Sequence, residues 1–219
     1  MNLKEIIEAT LIELDRGTEE STIDMYAKKF TVFANEAVDE IARRFKVCIS
    51  EPTQLQGDPY PGFDMTSSDV SHACKRIVKV MPATRVSLGG LSFRFDVDFT
   101  ARPYDFKQFV HGQPYIHVID RHAKAGDYVM VEYLYVPTPM SADSLNALAP
   151  DTIDSPDLPE YLHALIPLYV RAREQCGQDP TTQGTSSAYF GLFNQKVYQL
   201  QRETMATPDS FKFIGYHFD

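Results

Sequence analysis

The feature that most constrains this chain is a double change of hydrophobic period. Apolar residues recur every three to four positions at both ends and at every second position in the middle, so one stretch cannot continue the secondary structure of the other. A helical domain made of both termini, with a β-rich insertion between them, satisfies that order. The pattern predicts an α+β fold: about four helices from residues 1–46 and 141–219, and an inserted antiparallel β-sandwich or barrel-like module over 47–140. A length of 219 residues fits one domain carrying an insertion.

Asn2 can cap a first helix whose stripe is Leu3, Ile6, Ile7, Leu11 and Leu14, stopping at Gly17. Ser21 to Asp24 has the spacing of a capping-box variant, and predicts a long helix with Ile23, Tyr26, Phe30, Phe33, Ala37, Ile41 and Phe45 facing the core. Arg43, Arg44 and Lys46 suit the negative end of its dipole. In the middle, EPTQLQGDPYPGFDM reads as loop. Arg85–Leu88 and Leu91–Val97 flank Gly89-Gly90 as a hairpin, with Leu91, Phe93, Phe95, Val97 and Phe99 on one face. Tyr115–Asp120 and Tyr128–Val136 read as a second strand pair around RHAKAGD, giving about six short strands. After the linker SADSLNALAPDTIDSP, Asp157 and Glu160 predict a helix running to about Cys176, kinked at Pro167, and a last helix covers about 188–204.

Charge follows the same division. The net −9 splits as −4 over residues 1–45, 0 over 46–140 and −5 over 141–219, so all the excess acid lies in the helical ends. That sign argues against affinity gained by neutralising phosphates or anionic lipid. Cys48, Cys74 and Cys176 are odd in number and form no CxxC pair, which predicts reduced thiols. Glu5, Glu8 and Glu13 interrupt the N-terminal apolar residues, so the reading is a soluble protein kept inside a cell unless it leaves in a larger particle, with no membrane partner.

Chemistry-bearing motifs are sparse. His111, His117 and His122 with Asp120 are the metal candidates, but on a strand His117 and Asp120 fall on opposite faces, and surface histidines explain them without a metal. No G-x-S-x-G and no phosphate-cradling glycine loop is present, and Asp96 with Asp98 reads as the polar face of a strand. The expectation is a non-catalytic protein without cofactor. A ligand- or carbohydrate-binding β module on a helical stalk, with Tyr104, Tyr115, Tyr133 and Tyr135 as stacking surfaces, is the alternative, and a metal-dependent enzyme a third. Phe211, Phe213, Tyr216 and Phe218 form an aromatic C-terminal arm that either docks on a partner as an extended strand or covers this chain's own core.

The run Phe33-Ala-Asn-Glu-Ala-Val-Asp-Glu-Ile-Ala-Arg-Arg-Phe45 is similar to the "IN-E-A-x-x-E-I-A-R" helix of tailed-bacteriophage head–tail connector adaptor proteins. Leu158–Val170 followed by Ala188–Lys196 resembles their paired closing helices, and Gly126–Pro137 resembles the strand that re-enters the helical domain in versions with a β insertion. The resemblance implies a structural virion protein of the neck: a ring, commonly of twelve copies, beneath the portal, joined to it by the C-terminal segment, contacting downstream tail or neck proteins and passing DNA without gripping it. On that reading Glu36, Asp39, Glu40, Glu174 and Glu203 are candidates to face the channel; the same acids also fit the solvated face of amphipathic helices.

Overall fold

The computed structural model describes residues 1–57, 61–65, 71–89, 92–98, 100–108, 115–147, 149–176 and 183–205. The fold is α+β, with four helices among the described residues and antiparallel sheet that curls into a half-barrel. Two compact units divide the chain, Met1–Lys46 with Pro137–Asp219, and Val47–Val136.

In the helical unit, α1 (Leu3–Glu13) opens with a capping box: Asn2 Oδ1 accepts from the Glu5 amide at 3.0 Å and Glu5 Oε2 from the Asn2 amide at 2.9 Å. Its buried stripe is Leu3, Ile6, Ile7 and Leu11. Helix α2 (Glu20–Phe45) begins one residue before the expected cap. Ser21 therefore lies inside the first turn, and the Thr22 and Ile23 amides are taken by the Glu19 carbonyl instead. The buried face of α2 is Ile23, Ala27, Phe30, Ala34, Ala37, Val38 and Ile41, with Tyr26, Phe33 and Phe45 half-buried at its margins. Lys46 in the left-handed region ends the helix.

The returning chain is clamped to α2 by one amide, since Asn35 Nδ2 donates to the Met140 carbonyl at 2.9 Å and Asn35 Oδ1 accepts from the Met140 amide at 3.0 Å. Short 3-10 turns at Ala142–Asn146 and Pro150–Thr152 occupy part of the expected linker, and a third at Glu160–Leu162 stands where the helix was expected to begin. Asp157 caps no helix; its carboxylate accepts from the Thr138 amide at 2.9 Å. Helix α3 (Leu165–Cys176) starts late enough that Pro167 falls in its first turn, where no helical N–H is required, so the expected kink does not arise. Helix α4 (Gln183–Met205) starts five residues earlier than the pattern predicts and buries Phe193 and Val197, the former against Tyr169 at 5.3 Å between ring centroids. Helix α3 packs on α1, α2 and α4.

Among the described residues the β unit has seven strands: β1 (Cys48–Gln54), β2 (Gly62–Asp64), β3 (Cys74–Gly89), β4 (Ser92–Val97), β5 (Phe106–Gln108), β6 (Tyr115–Val118) and β7 (Tyr128–Tyr135). They form one sheet ordered β1-β7-β3-β4 and another ordered β2-β6-β5, all antiparallel. The expected β6–β7 hairpin is absent. β7 pairs with β1 and β3, while β6 pairs with β2 and β5, so the segment RHAKAGD crosses between sheets. β1 continues through Pro52, which the expected loop had excluded, because β1 is an edge strand and an edge tolerates a missing N–H.

β4 does pair with β3, but Gly89 faces Ser92 across a bulge after Ser87, which moves the turn one position on. Phe93 is 46% exposed there and does not face the core. The turn residues 90 and 91, and Phe99, lie outside the described residues. β7 alternates strictly, with Val129, Val131, Tyr133 and Tyr135 inward, and these pack with Leu55, Phe63, Ile77, Val80, Ile116 and Val118 in one core. Gly62 is required where β2 meets β6: a Cβ there would lie 2.3 Å from the Ile116 carbonyl oxygen.

Candidate functional site

The acidic residues expected on the helices have different surroundings. Glu36 receives a two-pronged bond from Arg173, Nε at 2.8 Å and Nη2 at 3.1 Å, and the guanidinium also lies 5.3 Å from the Phe33 ring. The Glu36 bond holds Arg173 above its ordinary range. Glu40 is flanked by Arg43 and Arg44 of its own helix. Burial pushes the Glu40 carboxyl up, but the hydrogen bonds from Arg43 and then Arg44 outweigh it and leave the group below the usual carboxylate range. Arg44 reaches onward to Asn194 Oδ1 on α4 at 2.6 Å, and Gln201 Nε2 donates to the Arg44 carbonyl at 2.9 Å. These bonds tie the C-terminus of α2 to α4.

Glu174 is 1% exposed and sits between Arg16 (Nη1 at 3.3 Å) and Lys29 (Nζ at 2.6 Å), which fastens α3 to the segment after α1 and to α2. Beside it Arg171 approaches Glu13 at 3.5 Å, donates to the Tyr189 hydroxyl at 2.9 Å and covers the Tyr189 ring at 4.1 Å. Asp39 is exposed, and Glu203 accepts from Gln199 Nε2 at 2.8 Å one turn away. Glu174 is thus spent on the unit's own interior, whereas Asp39 and Glu203 face outward from it. The arm residues Phe211, Phe213, Tyr216 and Phe218 lie outside the described residues.

In the β unit the chemistry-bearing side chains are separated. His111 lies outside the described residues. His117 stacks edge-on against Tyr115 at 4.9 Å, while Asp120 Oδ1 accepts from the His122 amide at 2.9 Å. Arg121 Nε donates to His122 Nε2 at 3.1 Å, and Arg102, Tyr104, Asp120, Arg121 and His122 border an open cleft of about 570 Å³. Among the described residues no three His, Cys, Asp or Glu side chains converge on a metal position. The four tyrosines do not make a stacking platform: Tyr133 is fully buried, Tyr135 nearly so, and the Tyr115 hydroxyl donates to the Gln56 carbonyl at 2.8 Å.

Sequence reasoning missed one polar cluster. The Tyr133 hydroxyl donates to Glu51 Oε2 at 2.7 Å, Ser71 Oγ donates to Glu51 Oε1, and Ser71 Oγ lies 2.6 Å from His72 Nδ1. Burial first, and the bond to Glu51 second, push the Tyr133 phenol well above its ordinary range. No local signal marks this group, since Glu51 and Tyr133 lie 82 positions apart. Among the described residues no helix is long and apolar enough to cross a membrane.

What these units present is cross-linked scaffold: ion pairs between helices, and a β core sealed by aromatic side chains. They define a structural α+β protein, with its polar groups engaged in holding elements together. Residues 1–210 match the SU10 adaptor protein family, and the chain belongs to it. It is a bacteriophage adaptor protein, a structural component of the virion. No curated protein matches the chain.

Proposed function

We propose that this adaptor assembles as a ring, of twelve copies, beneath the portal, and connects the capsid to the tail around the DNA channel. The match over residues 1–210 to an adaptor family carries the reading. The helical ends form the adaptor domain and the β unit is an insertion within it. Phe211, Phe213, Tyr216 and Phe218 form the segment that docks on the portal, and downstream tail or neck proteins bind the assembled ring. Acidic helix faces suit a channel through which DNA must slide, because a lumen lined with cations would hold phosphates. Of Glu36, Asp39, Glu40, Glu174 and Glu203, the accessible Asp39 and Glu203 carry this role most directly; Glu36 and Glu40 keep their arginine partners, and Glu174 supports the helices from within.

The test is co-purification with assembled portal, read by native mass. The full chain should add a ring of copies to the portal. Deleting residues 206–219 should leave a folded protein that no longer joins it. A deletion variant that binds normally overturns the arm's role, and a portal complex with no regular number of added copies overturns the ring.

A further inference from the structure

Strand β4 ends the sheet β1-β7-β3-β4, and no strand among the described residues lies on its outer side. β7 runs beside β3 only as far as Ala83, opposite Tyr128, whereas β4 pairs with β3 from Ala83 on to Gly89. The β3–β4 hairpin therefore extends past β7 as a ribbon of two strands. Such a ribbon is marginally stable in water and gains from further strands joining it. The other sheet edges are protected: β1 carries Pro52, which offers no N–H, and β2 and β5 are three residues long. β4 has six residues and no proline.

The two faces of β4 differ. Phe93 and Phe95 share one face, edge-on to each other at 5.6 Å, and Val97 continues it. Phe95 meets the Tyr128 ring at 5.2 Å, and the Arg85 guanidinium lies 3.8 Å over Phe93, which is still 46% exposed. On the opposite face Arg94 and Asp96 form a two-pronged pair, Nε to Oδ1 at 2.9 Å and Nη2 to Oδ2 at 3.2 Å. Asp98, next on that face, accepts from the Thr100 amide at 2.9 Å and the Thr100 hydroxyl at 2.6 Å. The order Phe93-Arg94-Phe95-Asp96-Val97 is thus self-complementary about Phe95: opposite charges flank it directly, and apolar residues flank those.

That symmetry selects both an occupant for the edge and a register. Two copies of one edge can pair antiparallel only with a residue at the two-fold axis, because successive residues alternate in face and in the direction of their backbone groups. Centring the pair on Arg94 or on Asp96 sets like charges opposite each other at the axis. Centring it on Phe95 sets Arg94 opposite Asp96, Phe93 opposite Val97 and Phe95 opposite itself, and leaves Asp98 diagonal to Arg94 of the second copy. With the Arg94–Asp96 pair already present in each copy, four charges then alternate in sign around a square. A parallel pairing instead lays the aromatic face of one copy beside the charged face of the other.

We propose that β4 pairs antiparallel with β4 of a second copy of this chain, in register about Phe95, and joins the two sheets into one. The ribbon gains two strands, and the exposed side of Phe93 is covered by Val97 of the second copy. The contact is isologous and closes at two copies. It is a contact between free copies and goes beyond the ring reading, which neither needs it nor supplies it.

The experiment weighs the protein alone, without portal, by sedimentation and native mass. The parent should be a dimer in equilibrium with monomer. Arg94→Asp and Asp96→Arg each set like charges across the axis, and each should weaken the pair by about tenfold or more. Arg94 and Asp96 are 61% and 50% exposed, so both variants should keep the strand content of the parent. Mixed in equal amounts the two variants should form a mixed dimer, and a chain carrying both substitutions should pair with itself, since either arrangement restores opposite charges. A parent that stays monomeric, a single variant that pairs as tightly as the parent, or a mixture and a double variant that both stay monomeric would overturn the contact. None of these outcomes touches the ring reading, and a failure to add a ring to the portal leaves this contact in place.

Discussion

Replacing Glu174 by glutamine removes one charge from the middle of the helical unit while keeping the shape of the side chain. Glu174 is 1% exposed, whereas its partners Arg16 and Lys29 are 25% and 48% exposed. Breaking a fully buried pair by removing one partner costs roughly 3–5 kcal/mol, because the other charge is left without compensation. Here both cations can turn toward water, so the loss should fall to about 2 kcal/mol, still above the roughly 0–1 kcal/mol of an exposed pair. For a unit of this size that corresponds to a melting shift of roughly 6–8 °C. Chemical and thermal unfolding followed by the far-ultraviolet helical signal reports the helical unit separately from the β unit. Asp39→Asn, on an exposed residue of α2, should change stability by no more than about 0.5 kcal/mol. If Glu174→Gln proves as mild as Asp39→Asn, the triad with Arg16 and Lys29 does not hold α3 in place.

Burial holds His163 below the ordinary histidine range and outweighs the bond between its Nε2 and the Leu158 carbonyl at 2.8 Å, which favours the charged ring, so the fold favours the neutral form. That contribution is complete above about pH 6.5 and is lost as pH falls below it toward the lowered folded value, so helical stability should decline in that window and His163→Asn should flatten part of the slope. Thiol labelling near pH 8 should find Cys176 fast, since it is exposed, and Cys48 and Cys74 slow, since burial pushes Cys48 up to about 11 and raises Cys74 as well. Gly62→Ala should destabilise the β unit by about 1–3 kcal/mol through the clash with the Ile116 carbonyl, read as loss of protection in β2 and β6 by hydrogen exchange. The purified protein should show no retention on double-stranded DNA even at low salt, where a phosphate-binding surface would be strongest.

The helices were legible because their signals are local. Asn2 and Glu5 sit three positions apart, and the α1 and α2 stripes repeat within a turn. Where the signal was local but ambiguous, geometry decided: Pro167 marks the start of α3, since a proline is equally at home in a first turn and disruptive further in. Strand pairing was legible at the β3–β4 hairpin, where Gly89-Gly90 marked a turn, and not elsewhere. Tyr115–Val118 and Tyr128–Tyr135 both alternate, but alternation reports which face is buried and says nothing of which strand lies alongside. The bulges in β3 after Cys74, Ile77 and Ser87 shift its phase, so its 16 residues do not read as one strand. The ion pairs between helices were beyond local reading, because Arg16 and Glu174 are 158 positions apart, unlike Glu40 with Arg43 and Arg44 within one turn.

The ion pairs also change what the net charge means. Among the described residues of the helical unit five carboxylates, Glu5, Glu13, Glu36, Glu40 and Glu174, engage seven cations: the N-terminal amine, Arg171, Arg173, Arg43, Arg44, Arg16 and Lys29. More of the unit's positive charge than of its negative charge is therefore committed to holding helices together. The side chains left to meet a partner or a passing polymer are more acidic than the segment totals of −4 and −5 imply. Several of these guanidinium groups lie over aromatic rings as well, Arg44 on Phe193, Arg173 on Phe33 and Arg16 on Tyr26, which places them against the helix packing rather than in open solvent. An arginine held by a carboxylate and a ring is poorly placed to catch a phosphate. The same bonds that brace the helices therefore also occupy cations with carboxylates of their own chain, which is the arrangement the proposed passage of DNA requires.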